Sequence, residues 1–267
     1  MSKQNLLYRK KISNGLTNLV SIAKKETRNI DFSVLKLKKK QKYENKSKTH
    51  ERVVIILGGK CNVRVDDKEY KNIGKRKNVF DGKATSVYIP AGSNFVVEAV
   101  SPELEVAICG AKSKAKGSPM LITPNMVRRR IVGKANWKRD VYDIVYEKTA
   151  GDKILVGETM TPSGNWSSMP PHRHEKEDMP RESKHEETYY FKIDPVQGFG
   201  IQWVYTDDFK LNEVYVLRDN DLVVIPRGYH PVAAAPGYRV YYLWILAGNN
   251  RLLRPKDDPK HKWIKEL

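Results

Sequence analysis

Several features that mark common protein classes are scarce in this chain of 267 residues. It has two cysteines, Cys61 and Cys109, without CxxC spacing, which disfavours a disulfide framework and predicts free thiols in a reducing compartment. No apolar run reaches the roughly 18–20 residues of a membrane span, and the N-terminus lacks the apolar stretch of a secretory signal. No GxGxxG motif for a dinucleotide follows a strand. These absences predict a cytoplasmic protein without a membrane anchor, a nicotinamide or a flavin.

Acidic residues are few relative to basic ones, 31 against 49, which leaves a formal net charge of +18. Nucleic acid is the sharpest interpretation of that charge, with the run KLKKKQKYENKSK at Lys36–Lys48 as its footprint. However, lysines are spread along the whole chain, and no helix-turn-helix, zinc-finger or RNP-like pattern is present. The sequence therefore argues against nucleic acid as a partner and is compatible with an anionic small substrate.

Long amphipathic helices are also missing. Instead, short strand-like segments such as VVIIL, SVYIP, ETYYFKI and RVYYLWIL are separated by Gly, Pro, Asp and Asn turns. Many short strands with regular turns are typical of a β-sandwich or a β-barrel. We therefore predict an all-β fold with few short helices.

An internal repeat divides these strands into two sets. An offset of 136 residues places Ile89–Gly92 (IPAG) on Ile225–Gly228 (IPRG), and the same offset places Glu51 on Glu187. A repeat of this kind indicates duplicated structural units. We predict two tandem barrels, formed by residues 1–115 and 116–267.

Histidine is scarce as well, with six in the chain, and four of them fall in two short windows. His172 and His174 are two residues apart, so on an extended strand their imidazoles point the same way. Glu187 begins the strand-like run ETYYFKI, and His230 ends the turn PRGYH. Three imidazoles and one carboxylate from different strands suit a divalent transition metal.

The first half is predicted to be degenerate and to lack metal ligands. At the repeat offset Asn94 stands in the place of His230, and lysines 36 and 38 stand near the places of the paired histidines. An ammonium group has no lone pair at neutral pH and cannot bind a metal. We expect a single metal, bound in the second half.

Longer motifs carry a family resemblance between about Glu51 and Arg251. They are NIGKRKNVFDGKATSVYIPAG, LITP, GNWSSMPPHRHE, EETYYFKIDPVQGFGIQWVYTDD and PRGYHPVAAAPGYRVYYLWILAG. With them the chain resembles the 5-deoxy-glucuronate isomerase family of the cupin superfamily. The 13 steps from His174 to Glu187 and the tight PRGYH turn depart from the general cupin motif, and the resembled family shares both features.

The resemblance implies two tandem double-stranded β-helix (cupin) barrels and a metal-dependent aldose–ketose isomerase. Its implied reaction converts 5-deoxy-D-glucuronate to 5-dehydro-2-deoxy-D-gluconate in myo-inositol catabolism. The implied cofactor is one divalent metal per chain, Zn²⁺ or Mn²⁺, held by His172, His174, Glu187 and His230. The partner is a small sugar acid, and a homo-oligomer is left open.

Six residues are candidates for a catalytic or substrate-binding role besides the histidines. Glu187 is the metal-binding carboxylate, and Glu175, in the loop after HRH, is a candidate general acid/base together with Glu177 and Asp178. Arg227 is a candidate clamp for the substrate carboxylate, with a plain surface arginine as the equal alternative. Arg139 resembles a position of the same family and is a second candidate for that role.

Two other functions remain open at this point. A His/carboxylate site with open positions also suits an Fe(II) oxygenase, and a cupin without catalysis could act as a sugar-acid sensor. Turnover in the absence of O₂ distinguishes the isomerase from the oxygenase. The missing DNA-reading motif weighs against a regulatory sensor.

Overall fold

A computed structural model describes residues 5–45 and 49–267 of the chain. Within these ranges there are 23 strands, two short 3-10 helices at Ala135–Trp137 and Lys262–Lys265, and no α-helix. No helix of the described chain is long and apolar enough to cross a membrane. Both cysteines are buried and free, as expected. The prediction of an all-β fold with few short helices is confirmed.

Eleven strands form the first part of the chain. They are β1 Leu7–Arg9, β2 Gly15–Val20, β3 Ile30–Lys38, β4 Lys42–Asn45, β5 His50–Gly58, β6 Cys61–Val65, β7 Lys68–Ile73, β8 Thr85–Ile89, β9 Phe95–Ala99, β10 Glu103–Lys112 and β11 Met120–Ile122.

Two antiparallel sheets built from these strands share a core. One has the order β11-β8-β5-β10-β3-β2, and the other has the order β4-β9-β6-β7. Strands β6 and β9 alternate buried and more exposed positions, as the patterns CNVRV and FVVEA require when one face is covered. The side chains between the sheets are mostly aliphatic, with Val54, Ile56, Val87 and Ile108 among them.

Twelve strands follow. They are β12 Arg128–Val132, β13 Arg139–Val145, β14 Ile154–Thr161, β15 Trp166–Ser167, β16 His172–Arg173, β17 His185–Asp194, β18 Gly200–Tyr205, β19 Asn212–Leu217, β20 Asp221–Ile225, β21 Val232–Ala234, β22 Arg239–Gly248 and β23 Lys256–Asp257.

The sheets of the second set, which β1 joins from the start of the chain, repeat the order of the first. The larger one runs β1-β20-β17-β22-β14-β13-β12, which matches β11-β8-β5-β10-β3-β2 strand for strand up to β13. The smaller one runs β15-β21-β18-β19 and matches β4-β9-β6-β7. A further pair, β16-β23, has no counterpart in the described first set. The repeat found in the sequence is therefore a repeat of sheet topology.

The strand register corrects one detail of that repeat. Glu187 pairs with Ile225 and Leu246, whereas the residue that pairs with Ile89 and Gly110 is Arg52. The expected match of Glu51 to Glu187 is wrong by one residue. The reason is that 38 residues separate Glu187 from Ile225 but 37 separate Arg52 from Ile89, and a fixed offset cannot follow this difference.

Glu51 has a structural role instead. Its side chain is wholly buried and accepts a hydrogen bond from the Tyr88 hydroxyl at 3.0 Å. It also accepts three from the backbone N–H groups of Asp152, Lys153 and Ile154, at 2.6–2.9 Å. A buried carboxylate with four donors is satisfied by the chain itself.

The expected counterparts of the paired histidines also change. Lys36 and Lys38 lie on β3, whose counterpart in the sheet order is β14 and not β16. By the same order, the segment that matches β16 follows β4. Residues 46–48 of that segment, the end of the lysine run Lys36–Lys48, lie outside the described residues.

By internal compactness the chain divides into two units. One comprises the chain up to Arg9, with Arg129–Tyr142 and Gly157–Leu267, and the other comprises Lys10–Arg128 and Asp143–Val156. The boundary between residues 115 and 116, and a first half without metal ligands, stay predictions.

Candidate metal centre

Three histidines converge in the unit that contains the C-terminal strands. His172 begins β16, His174 lies two residues later, and His230 follows the turn after β20. One nitrogen atom of each ring lies within 4.8 Å of the others. The Oε2 atom of Glu187, the third residue of β17, lies 3.1 Å from Nε2 of His230 and 3.7 Å from Nε2 of His174. The structure thus brings together the four residues that the sequence predicts as ligands.

The turn before His230 depends on a glycine. Gly228 has φ +84°, a left-handed conformation, and a Cβ atom there would lie 2.3 Å from the Tyr205 carbonyl oxygen. That close approach lets Tyr229 and Tyr205 exchange two backbone hydrogen bonds, at 2.7 and 2.9 Å. The paired backbones place the His230 ring beside Glu187.

Backbone carbonyl groups orient two of the rings. Nδ1 of His172 lies 3.3 Å from the Pro170 oxygen, and Nδ1 of His230 lies 3.0 Å from the Gly228 oxygen. An Nδ1–H that donates to a carbonyl leaves the Nε2 lone pair available, which is how metal-binding histidines are usually held.

Buried polar atoms without partners mark the point where these groups converge. Among the described residues, Oε2 of Glu187 and Nε2 of His230 have no hydrogen-bond partner, although they lie 3.1 Å apart. A buried polar atom left unpaired costs about 1–3 kcal/mol. Lone pairs that converge without bonding to each other fit a shared cation, so this donor set fits a divalent transition metal.

The protonation of His172 and His174 agrees with a role as metal ligands. Burial lowers the pKa of His172 and His174 well below the usual range, and the neighbouring imidazoles, together with Arg139 in the case of His172, lower it further. Both rings are therefore neutral near pH 7, the form in which imidazole binds a metal.

A cavity of about 230 Å³ opens onto this group. It is smaller than the roughly 300–1,000 Å³ of pockets for drug-sized ligands, so it suits a molecule of sugar size. Its polar lining comprises His172, His174, Glu187, Tyr189, Tyr242, Ser168, Thr159, Arg130, Arg139, Asp257 and Lys265.

Two tyrosines form one wall of the cavity. The rings of Tyr189 and Tyr242 stack with their centroids 4.4 Å apart, and both hydroxyls lie near Oγ of Ser168, at 3.1 and 3.3 Å. Burial raises the pKa of both tyrosines, so both hydroxyls keep their protons at neutral pH. They are available as hydrogen-bond donors to a sugar oxygen.

The structure does not bring every candidate to this cavity. Arg227 is exposed, and Glu175 is partly exposed, with its N–H bonded to Glu182; neither lines the cavity. Glu177 accepts a hydrogen bond from Asn250, and Asp178 pairs with Arg181. The catalytic roles of Arg227 and Glu175 stay predictions.

Other lining residues were not singled out as site residues from the sequence. Tyr189 lies two residues after Glu187 on β17, so the period of a strand could have identified it. Asp257 and Lys265 come from the C-terminal tail, where no motif indicates a site. Asp257 reaches the cavity because β23 pairs with β16, with Asp257 opposite His172, and Lys265 forms an ion pair with Asp257.

Curated proteins of known name match most of the chain. The 5-deoxy-glucuronate isomerase of Geobacillus kaustophilus is 42% identical over 238 residues, which are 89% of this chain and 86% of that protein. The 5-deoxy-glucuronate isomerase of Halalkalibacterium halodurans is 38% identical over 264 residues, 97% of each chain.

Solved structures agree on the fold. An IolB-like protein from Salmonella typhimurium LT2 superposes with a TM-score of 0.94 at 34% identity, covering 98% of this chain and 100% of that one. The oxalate decarboxylase of Lactobacillus farciminis gives a TM-score of 0.72 at 13% identity, with 100% and 92% covered. This second likeness concerns the fold alone and, with the repeated sheet order, confirms the predicted cupin architecture.

The KduI/IolB family matches residues 6–264, nearly the whole length. Relatives about 40% identical match over most of the chain as well, so the family assignment does not depend on any single motif. The chain belongs to the KduI/IolB family.

Proposed function

We propose that this chain is an aldose–ketose isomerase that converts 5-deoxy-D-glucuronate to 5-dehydro-2-deoxy-D-gluconate. The observation that carries the proposal is the convergence of three histidines and Glu187 beside one sugar-sized cavity, whose wall includes His172, His174 and Glu187. It occurs in a chain whose relatives, matched over nearly their full length, bear the name 5-deoxy-glucuronate isomerase.

His172, His174, Glu187 and His230 would hold one divalent metal ion, Zn²⁺ or Mn²⁺. When bound, such an ion supplies Lewis-acid stabilisation of the negative charge that develops on two neighbouring oxygens during isomerisation. The protein contributes imidazole donors, and backbone carbonyls orient two of them, His172 and His230.

The reaction is a proton transfer with no net oxidation. The C2–H bond of the aldose breaks and a C1–H bond forms, while the hydroxyl proton of O2 passes to O1. A carboxylate near the sugar can carry the first proton. Of the described cavity residues only Glu187 and Asp257 bear carboxylates. With Glu187 on the metal, Asp257 is our candidate for the proton carrier.

The position of Asp257 supports this role. It lies opposite His172 in the β16-β23 ladder, and its side chain is largely buried and paired with Lys265. Residues opposite each other in an antiparallel pair have Cβ atoms about 4.5–5.5 Å apart. The tyrosine hydroxyls at Ser168 would donate to the sugar oxygens and assist the second proton transfer.

Incubation in D₂O without O₂ tests the proposal. Metal-replete protein is mixed anaerobically with 5-deoxy-D-glucuronate, and the product is followed by NMR. We expect the ketose, with deuterium at C1 because the proton carrier exchanges with solvent. No ketose from folded, metal-replete protein would refute the isomerase. Ketose with complete retention of hydrogen would refute the carboxylate proton transfer.

The finer expectations belong to the same proposal. They are one metal per chain, a small sugar acid as the partner, and a cytoplasmic location.

A further inference from the structure

Arg139 differs from the other arginines at the cavity. It begins β13, is 7% exposed and lines the cavity with His172 and Tyr189. It donates one hydrogen bond, from Nη1 to the Trp137 carbonyl oxygen at 3.1 Å, and its guanidinium lies 5.8 Å from the Trp137 ring centroid. Within the described parts of the chain, no carboxylate forms an ion pair with it.

A buried cation without an anionic partner is unusual. Burying a charge is costly unless it is paired, and a guanidinium cannot relieve the cost by losing its proton near neutral pH. Burial lowers the pKa of Arg139, which reflects that cost, and the nearby Arg130 lowers it further. With one of its five N–H groups bonded to the chain, the guanidinium keeps donors for an anion in the cavity.

The loop before β13 is shaped around this side chain. Gly133 has φ +81°, and a Cβ atom there would lie 3.0 Å from Nη1 of Arg139 and 2.3 Å from the Trp137 oxygen. The amide of Asn165 donates to the carbonyls of Ala135 and Lys138, at 3.3 and 2.8 Å, which holds the loop in place. The arginine is therefore fixed from two sides.

The other cations near the cavity are in different situations. Lys265 is exposed and paired with Asp257, and Arg130 is exposed. Arg227 is exposed and does not line the cavity. Only Arg139 combines burial with a place in the cavity wall and no carboxylate partner among the described residues.

We propose that Arg139 anchors the carboxylate of the substrate and thereby sets the specificity for sugar acids. The inference rests on the proposed function and deepens it. A sugar acid has a carbonyl end, which suits the histidine and Glu187 group, and a carboxylate end, which suits a planar guanidinium. Arg139 is in this sense a specificity residue, and Arg227 is not needed for the clamp.

The test compares two sugars as substrates of the wild type and of two variants at Arg139. The substrates are 5-deoxy-D-glucuronate and 5-deoxy-D-glucose, which differs by a hydroxymethyl group in place of the carboxylate. Arg139→Gln should lower kcat/KM for the acid roughly 100-fold, the loss expected for a buried charge-assisted contact, but change kcat/KM for the neutral sugar less than about threefold. Arg139→Lys should recover part of the preference, because it keeps the charge and loses the bidentate geometry.

A second measurement does not depend on turnover. Binding of 5-deoxy-D-glucuronate to metal-free protein is followed by calorimetry. The Kd should rise roughly 100-fold in Arg139→Gln, and Arg239→Gln should leave it unchanged. Arg239 is an exposed arginine paired with Asp194, so its variant removes the same charge elsewhere. Thermal unfolding of each variant shows that it is folded.

The outcomes separate the two proposals. If the wild type isomerises neither sugar, the proposed function fails, whereas the calorimetric arm still reports on the anchor. If the wild type isomerises the acid and folded Arg139→Gln keeps its preference for the acid, the anchor is refuted. Loss of the preference in Arg227→Gln alone would assign the clamp to Arg227 and equally refute the inference.

Discussion

At the scale of single residues, the site depends on buried groups whose charge or hydrogen-bonding capacity the described chain does not satisfy in full. Oε2 of Glu187 and Nε2 of His230 are 3.1 Å apart and unbonded, and Arg139 has no carboxylate partner among the described residues. Groups of this kind destabilise a fold unless a ligand uses them. Two predictions belong to this scale.

The first prediction concerns Asp257. Asp257→Asn removes the proposed proton carrier and leaves the donors of the metal in place. We expect kcat to fall about 10²–10⁴-fold, the usual contribution of general acid–base catalysis, with the metal content unchanged. Steady-state kinetics and elemental analysis measure both. Asp67→Asn, at an exposed turn, is the matched control and should retain full activity. Loss of metal in Asp257→Asn would mean that the residue supports the metal centre instead.

The second prediction concerns pH. Burial lowers the pKa of His172 and His174 in the folded, metal-free protein, whereas in the unfolded chain they titrate near ~6.5. Below that pH the unfolded state binds protons that the folded state does not, so the free energy of unfolding falls on acidification. The loss is at most about 1.4 kcal/mol per pH unit for each histidine, and these groups have no effect above the unfolded pKa.

Chemical denaturation of metal-free protein between about pH 7.5 and pH 5.5 measures this slope. The double variant His172→Gln/His174→Gln should have a flatter dependence than the wild type. An unchanged slope would show that other groups cause the acid sensitivity.

At the scale of elements, the position of each ligand follows from a strand and the turn beside it. His230 is placed by the Gly228 turn, and Glu187 by its pairing with Ile225 and Leu246. The C-terminal tail completes the cavity through the β16-β23 pair. A change in a turn should therefore affect the metal centre without touching a ligand.

The third prediction tests the turn. Gly228→Ala would place a Cβ atom 2.3 Å from the Tyr205 oxygen and should displace His230. We expect metal affinity to fall at least about tenfold, within the range seen when support of a ligand is lost. Gly237→Ala is the control, because Gly237 has nearly the same φ, +86°, but its Cβ would meet nothing within 4 Å. Equal metal affinity in both variants would contradict the role of the turn.

The sequence identified more of the elements than of the cavity. The i, i+2 histidines, the strand that begins at Glu187 and the PRGYH turn are local patterns, and local patterns predict local geometry. Asp257 could not be found, because its place depends on a pairing between β23 and β16, far apart in the chain. Arg139 is preferred to Arg227 as the carboxylate clamp because Arg139 is buried and Arg227 is exposed. The residues around each arginine in the sequence do not reveal this difference.

At the scale of the whole molecule, two sets of sheets with one topology differ in their inner residues. In the first set Arg52 occupies the position of Glu187, and its Nη2 atom lies 3.9 Å from Oδ2 of Asp31. Gly110 leaves space for it, since a Cβ there would lie 2.7 Å from Nη1. A guanidinium is a cation without a lone pair and cannot bind a metal. This position favours one metal per chain, as proposed.

The fourth prediction follows from that difference. His172→Ala and His230→Ala should each abolish tight metal binding and turnover. Each variant removes one of the four proposed ligands and leaves two histidines and a carboxylate, an incomplete set for a tight site. Arg52→Gln should leave the metal content unchanged. Elemental analysis of the purified variants measures this. A His172→Ala protein that keeps its metal would contradict the assignment of the site.

The most direct test of a single metal-dependent isomerase site is a titration of activity with metal. Metal-free protein at known concentration receives increasing amounts of Mn²⁺ or Zn²⁺, and NMR follows conversion of 5-deoxy-D-glucuronate to the ketose. The account predicts that the rate rises linearly and stops rising at about one equivalent per chain, as a tight stoichiometric site requires. A break at two equivalents, or conversion by protein that contains no metal, would contradict it.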